Sequence, residues 1–328
     1  MIFEGQPGRI PRRVAAAIIG AGALLALAAC GGGSYQAQAF VPARIVVFGD
    51  ESSRLEGAQG LKYSINGVAA QSHGTDCTAL PIWTQTVASY YGLVFSNCNP
   101  AASLDARAID HTVVGGTVQD AARQVVAFQA GDTFNGNDLV LVWVGMHDIL
   151  DAYQANATGD ETVLLADMRA AGAALGSVVN GIAATGAKVI VLTVPDMSES
   201  PFAYLESQRG DFDRLKLLAD MSRKFNLGLR ISIVNDGSKI GIVLVDDIVR
   251  DDTTDPGRFG LLAQAGTRVG CLAAAPLPTC TQDTLVDDPS IGLPSANAFL
   301  WADATHLGST AQAQIGGQAR DRARGNPF

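Results

Sequence analysis

The sequence predicts a three-layer α/β fold: a parallel sheet of five strands with helices on both faces. Short runs of β-branched residues recur without apolar–polar alternation, the signature of strands buried on both sides. Segments with helical periodicity separate these runs. Each run stops at glycine, proline or aspartate, the residues of sharp turns.

The elements follow in chain order. Residues 44–48 (RIVVF) form the first strand, which stops at Gly49. Residues 81–91 form a helix, with Pro81 at its start and Trp83, Val87 and Tyr90 at helical spacing. A strand over 108–114 ends at Gly115-Gly116, and a helix over 118–130 follows. The strand at 138–144 (DLVLVWV) stops at Gly145 and leads to a helix over 161–184. The strand at 188–194 (KVIVLTV) stops at Pro195 and leads to a helix over 211–233. A last strand at 242–245 stops at Asp246, and a closing helix runs over 309–324. Trp83 and Trp143 read as core aromatics. Open parallel sheets bind ligands beyond the carboxyl ends of their strands. Gly49-Asp50-Glu51, Gly115-Gly116 and Gly145-Met146-His147-Asp148 all stand there.

The first thirty residues read as a targeting segment. Arg9, Arg12 and Arg13 precede an apolar run over 14–29 that is short for a membrane span. It ends in Leu27-Ala28-Ala29-Cys30, which resembles a bacterial lipobox, where cleavage leaves the cysteine as a lipidated N-terminus. Cleavage after Ala29 without lipid is the alternative. The expected organisation is a signal peptide over 1–29, a lipidated tether over 30–43 and one domain over 44–328, long enough for a substantial core. Gly31, rather than Asp, follows Cys30, and by resemblance to other lipoproteins this favours the outer membrane of the cell envelope. No later segment reads as long and apolar enough to span a bilayer, and no internal repeat appears.

Cysteine usage agrees with export. Besides Cys30 there are four, and local pairing predicts disulfides Cys77–Cys98 and Cys271–Cys280 in an oxidising compartment. Free buried thiols are the alternative. The absence of Cys-x-x-Cys argues against a zinc ribbon or a thioredoxin-like site. The formal net charge is −9, and the part beyond residue 29 is more acidic still. That argues against nucleic acid as a partner. The expected state is a monomer that binds a small or polymeric substrate without a cofactor and meets the membrane through its lipid.

Four blocks then carry the chemistry: Phe48-Gly49-Asp50-Glu51-Ser52-Ser53, Val114-Gly115-Gly116-Thr117, Gly145-Met146-His147-Asp148 and Trp301-Ala302-Asp303-Ala304-Thr305-His306. In this order they resemble the SGNH, or GDSL, hydrolase superfamily from about residue 45 to residue 315. Val194-Pro195-Asp196 and Phe225-Asn226 are supporting likenesses. The resemblance implies a doubly wound, flavodoxin-like SGNH hydrolase fold acting on carboxylic esters. It implies His306 as general base, Asp303 as the residue orienting it, Gly116 as a backbone oxyanion donor and residue 147 as a side-chain donor. The chain departs from the family at two positions. Glu51 stands where the family has its nucleophilic serine, and His147 stands where it has asparagine.

Three readings follow. The chain is an ester hydrolase, with Ser52 as a displaced nucleophile or Glu51 activating water; Ser53 matches a second family serine. Alternatively it is a catalytically inactive binding lipoprotein on the same fold. In the third reading Glu51, His147 and His306 hold a metal for hydrolysis, two histidines and a carboxylate suiting zinc or non-haem iron. His73 reads as a solvated loop residue, and His111 as a hydrogen-bonded loop histidine. The aspartates 246, 247, 251 and 252 read as a solvated loop. Residues 54–80 read as a roof over the cleft.

Overall fold

The structure, a computed structural model, describes residues 1, 39–99, 102, 105–288 and 295–325. Apart from Met1, the expected signal segment, Cys30 and the expected tether up to residue 38 lie outside the described residues. Residues 40–328 form one compact unit.

The strands of the main sheet are β1 (Arg44–Gly49), β6 (Leu93–Phe95), β7 (Asp105–Asp110), β8 (Asp138–Trp143), β9 (Lys188–Leu192) and β10 (Ile240–Val243). They lie in the order β10-β9-β8-β1-β7-β6, all parallel. The sheet therefore has six strands, where the sequence predicts five. The added strand, β6, is a three-residue edge strand too short to show a pattern. The strand expected over 108–114 instead runs over Asp105–Asp110. In β1, Ile45, Val46, Val47 and Phe48 are all fully buried. Each such side chain contributes about 1.5–3 kcal/mol of burial free energy.

Eight helices cover the sheet among the described residues: α1 (Trp83–Tyr90), α2 (Val118–Gly131), α3 (Met146–Asn156), α4 (Glu161–Ala184), α5 (Pro201–Ser207), α6 (Arg214–Ser232), α7 (Val245–Thr254) and α8 (Ser309–Gly325). Helices α3, α5 and α7 are not predicted by the sequence. Helix α7 replaces the solvated loop expected at its aspartates, and Asp252 within it is fully buried. Helix α4 also amends an expectation. By length and composition alone its 24 residues could cross a membrane, with a mean hydropathy of 1.4. In the fold it packs along α6 and buries Leu164, Met168, Leu175, Val179 and Ile182.

Residues 54–80 form two short antiparallel pairs, β2 (Leu55–Glu56) with β3 (Leu61–Lys62) and β4 (Gly67–Val68) with β5 (Thr75–Asp76). Lys62 is fully buried there, and its ammonium donates to the carbonyls of Cys77, Ala79 and Leu80. Both expected disulfides, Cys77–Cys98 and Cys271–Cys280, are present. Trp83 and Trp143 are buried and meet edge to face, with centroids 6.1 Å apart.

The chain winds from β1 out to β6 and β7, then crosses β1 to β8 and continues to β10. The winding direction reverses at β1, and ligands bind at such switch points.

Candidate functional site

Three strand ends and one loop build the site at this switch point. The chain leaves β1 through Gly49, whose φ is +136°. A Cβ there would stand 1.8 Å from the carbonyl oxygen of Trp143, so only glycine fits. Gln124 of α2 clamps the same residue. Its Nε2 donates to the Gly49 carbonyl at 2.9 Å, and its Oε1 accepts from the Gly49 N–H at 2.8 Å. Asp50 then caps a single helical turn, Glu51–Ser53, by accepting from the Ser52 N–H. This turn aims Glu51 across the ends of β7 and β8.

The Glu51 carboxylate meets donors from three directions. Its Oε2 accepts from the Gly115 N–H at 2.8 Å. Gly115 follows β7 with φ +71°, in the left-handed region, and that turn points its N–H inward. Oε1 lies 2.6 Å from Nε2 of His147 in the first turn of α3, and 3.0 Å from Nε2 of His306. An ionised carboxylate only accepts, so both imidazoles donate.

His306 is held from behind by its own loop. Its Nδ1 lies 2.9 and 3.0 Å from the two oxygens of Asp303. Asp303 also accepts from the backbone N–H groups of Thr305 and His306 at 2.9 and 2.7 Å. The roof segment touches this loop: the Ser64 hydroxyl donates to the Leu307 carbonyl, and the Tyr63 ring lies 6.0 Å from that of His306.

These contacts set the charges. Burial alone pushes the Glu51 carboxyl up, but the hydrogen bonds from His147 and His306 outweigh it and hold the group well below the usual carboxylate range. Burial disfavours the His306 imidazolium, yet the hydrogen bonds to Asp303 and Glu51 hold it up to about 10. His147 is raised as well, burial again losing to its Glu51 contact. Asp50 is pushed up to about 7 by burial and by the neighbouring Glu51 charge. The result is a half-buried relay of alternating charge, Asp303–His306–Glu51–His147.

The structure thus brings together Glu51, His147, Asp303 and His306. The backbone donor that reaches Glu51 belongs to Gly115, where the sequence points to Gly116. Gly116 instead packs under the Gly49 carbonyl, so close that a Cβ would stand 3.0 Å from that oxygen. Ser52 is not joined to His306 by any hydrogen bond among the described residues. Its N–H donates to the Asp50 carboxylate, and its carbonyl accepts from Gln312. The Ser53 hydroxyl accepts from the Trp83 indole N–H. His73 is exposed and pairs with Asp283. The His111 Nε2 has no hydrogen-bond partner among the described residues, and the ring stacks on Phe48, with centroids 5.4 Å apart. Val194 and Asn226 meet as a clamp: the Asn226 amide bonds both the N–H and the carbonyl of Val194. No pattern in the sequence points to Gln124 or Gln312.

For metal binding, one carboxylate oxygen of Glu51 and one ring nitrogen each of His147 and His306 lie within 4.8 Å of one another.

No family model matches the chain. No curated protein matches it either. Among solved structures, the chain is similar to a member of the lipolytic protein G-D-S-L family from Veillonella parvula DSM 2008. The identity is 12% and the TM-score 0.35, over 84% of this chain and 95% of that one.

Proposed function

We propose that this protein is a divergent hydrolase of carboxylic esters that adds water to its substrate directly, without a serine nucleophile. The observation that carries the reading is the Asp303–His306 pair, whose base nitrogen Nε2 points at the switch point of the sheet. An aspartate behind a histidine fixes its tautomer and stabilises the imidazolium that forms when it takes a proton.

Chemistry excludes two covalent routes. Ser52 is not joined to His306 by any hydrogen bond among the described residues, and its N–H is held by the Asp50 carboxylate. Glu51 has the charge of a nucleophile but not the leaving-group order. After attack on an alkyl ester, the tetrahedral adduct would expel the weakly basic carboxylate faster than the strongly basic alkoxide. Addition of water is left, with His306 as base and with Gly115 and His147 as oxyanion donors, once Glu51 yields all three groups and His306 is in its neutral form. One such donor contributes about 2.7–4 kcal/mol to the transition state.

One observation favours a second reading. Glu51 accepts from three donors at once, so the protein's own anion fills the place an oxyanion would take. On that reading the chain is a non-catalytic binding protein. A panel of p-nitrophenyl esters separates the two. The hydrolase reading predicts turnover that falls about 10²–10⁴-fold in His306→Ala, with no labelling of the wild type by a fluorophosphonate. No turnover on any ester establishes the second reading.

We further infer that a lipid on Cys30 holds the protein at the cell envelope, in the outer membrane. Release of Cys30→Ala from the membrane fraction is the expected result; unchanged fractionation contradicts it.

A further inference from the structure

We propose that Glu51, His147 and His306 form a binding site for one divalent transition-metal ion, with zinc the best match to the donor set. The proposal rests on the hydrolase reading only for its catalytic consequence, where the ion, on Nε2 of His306, would take over from that histidine the activation of water.

The three residues come from the ends of β1 and β8 and from the loop before α8, yet their donor atoms converge. Two imidazole nitrogens and one carboxylate oxygen are a donor set zinc takes in hydrolytic sites, with a fourth position left open. Ligands bound at about 2.0–2.2 Å to one ion lie roughly 3 Å or slightly more from each other. The Oε1 oxygen of Glu51 already lies 2.6 and 3.0 Å from the two imidazole nitrogens. Small rotations of the imidazoles bring the three atoms around one ion, which takes the place of the two shared protons.

The surroundings match as well. A ligating histidine usually gives its other ring N–H to a carboxylate, which fixes its tautomer and orientation. Asp303 does this for His306. The Gly115 N–H holds Oε2, which turns Oε1 toward both histidines. The two histidine side chains keep 19% and 12% of their surface exposed, so a water has access to a fourth position.

The ion would supply what the protein groups lack. Water bound to zinc ionises near pH 7 (about 7 in well-studied sites). Addition of that hydroxide to the ester carbonyl forms one C–O bond and breaks the bond to the alkoxide, which leaves as alcohol with the proton of the original water. No oxidant or second substrate is needed.

The test uses the purified protein, stripped with chelator and titrated with Zn²⁺ in a calorimeter. Bound metal is counted by elemental analysis. The expected result is one ion per chain. Binding is lost, by at least about 100-fold, in His147→Ala and in the near-isosteric Glu51→Gln. It is weakened about 10–100-fold in Asp303→Asn, which touches no metal. His73→Ala, at an exposed histidine, leaves binding unchanged. Circular dichroism confirms that each variant is folded, and cobalt(II) absorption reports ligation if a variant fails to fold. A parallel Fe²⁺ titration tests the zinc preference; tighter binding of iron contradicts it. Stoichiometric zinc without ester turnover supports the site and overturns the hydrolase reading. Ester turnover that persists in chelator, with no stoichiometric zinc, overturns the site and leaves the hydrolase reading intact. Zinc binding that survives Glu51→Gln and His147→Ala also overturns it.

Discussion

Glu51 lies 3.0 Å from Nε2 of His306, on the nitrogen a nucleophile would need. On the proposed hydrolase reading, Glu51 therefore occupies the nitrogen that would serve as base. A substitution that removes the carboxylate frees His306, His147 and the Gly115 N–H together.

Glu51→Ser is predicted to make the protein reactive toward a fluorophosphonate. A hydroxyl at position 51 has His306 to take its proton and two released donors to stabilise the adduct. Mass spectrometry should find the label on residue 51 and none on wild-type Ser52. A label on Ser52 in the wild type contradicts the geometry described above.

The Cys77–Cys98 bridge closes a segment of sequence separation 21 that carries α1. The double change Cys77→Ser, Cys98→Ser should lower unfolding free energy by about 3 kcal/mol in the loop-entropy account. Denaturant titration measures it, and an unchanged midpoint contradicts it.

Asp252 gives a pH signature. It is fully buried, accepts one hydrogen bond from Gln314, and leaves its Oδ2 without a partner. Burial pushes its carboxyl up to about 6. The folded protein therefore holds this proton more tightly than the unfolded chain, and stability falls as pH rises from about 4 to about 6. Asp252→Asn should stabilise the protein at pH 7.5, on the order of 1–2 kcal/mol, and leave it unchanged near pH 3.5. Thermal unfolding at the two pH values checks this; equal shifts at both contradict it.

These residues also mark what was legible in the sequence. The long apolar runs of β1, β8 and β9 announce themselves because burial on both faces leaves no room for polar residues. Helix α7 does not. Its inward positions Val245, Ile248, Val249 and Asp252 have helical spacing, but the fourth is an aspartate, which breaks the apolar stripe. Strand β6 has only three residues, and its place in the sheet comes from pairing with β7. In the site, the contact between Asp303 and His306 was legible because both lie in one short loop. Which of Gly115 and Gly116 donates depends on the turn after β7, which spacing alone does not determine. The meeting of Glu51 with both histidines follows from the order of strands, which no local pattern records; it was expected only through the resemblance of the four blocks.

The account's central claim is that His306 serves Glu51 and water, not Ser52. The most direct measurement compares kcat/KM on p-nitrophenyl butyrate for Ser52→Ala and His306→Ala. The account predicts that Ser52→Ala stays within about threefold of wild type, while His306→Ala falls at least about 100-fold, roughly 2.7 kcal/mol of transition-state stabilisation. Loss of activity in Ser52→Ala, with activity kept in His306→Ala, would contradict it.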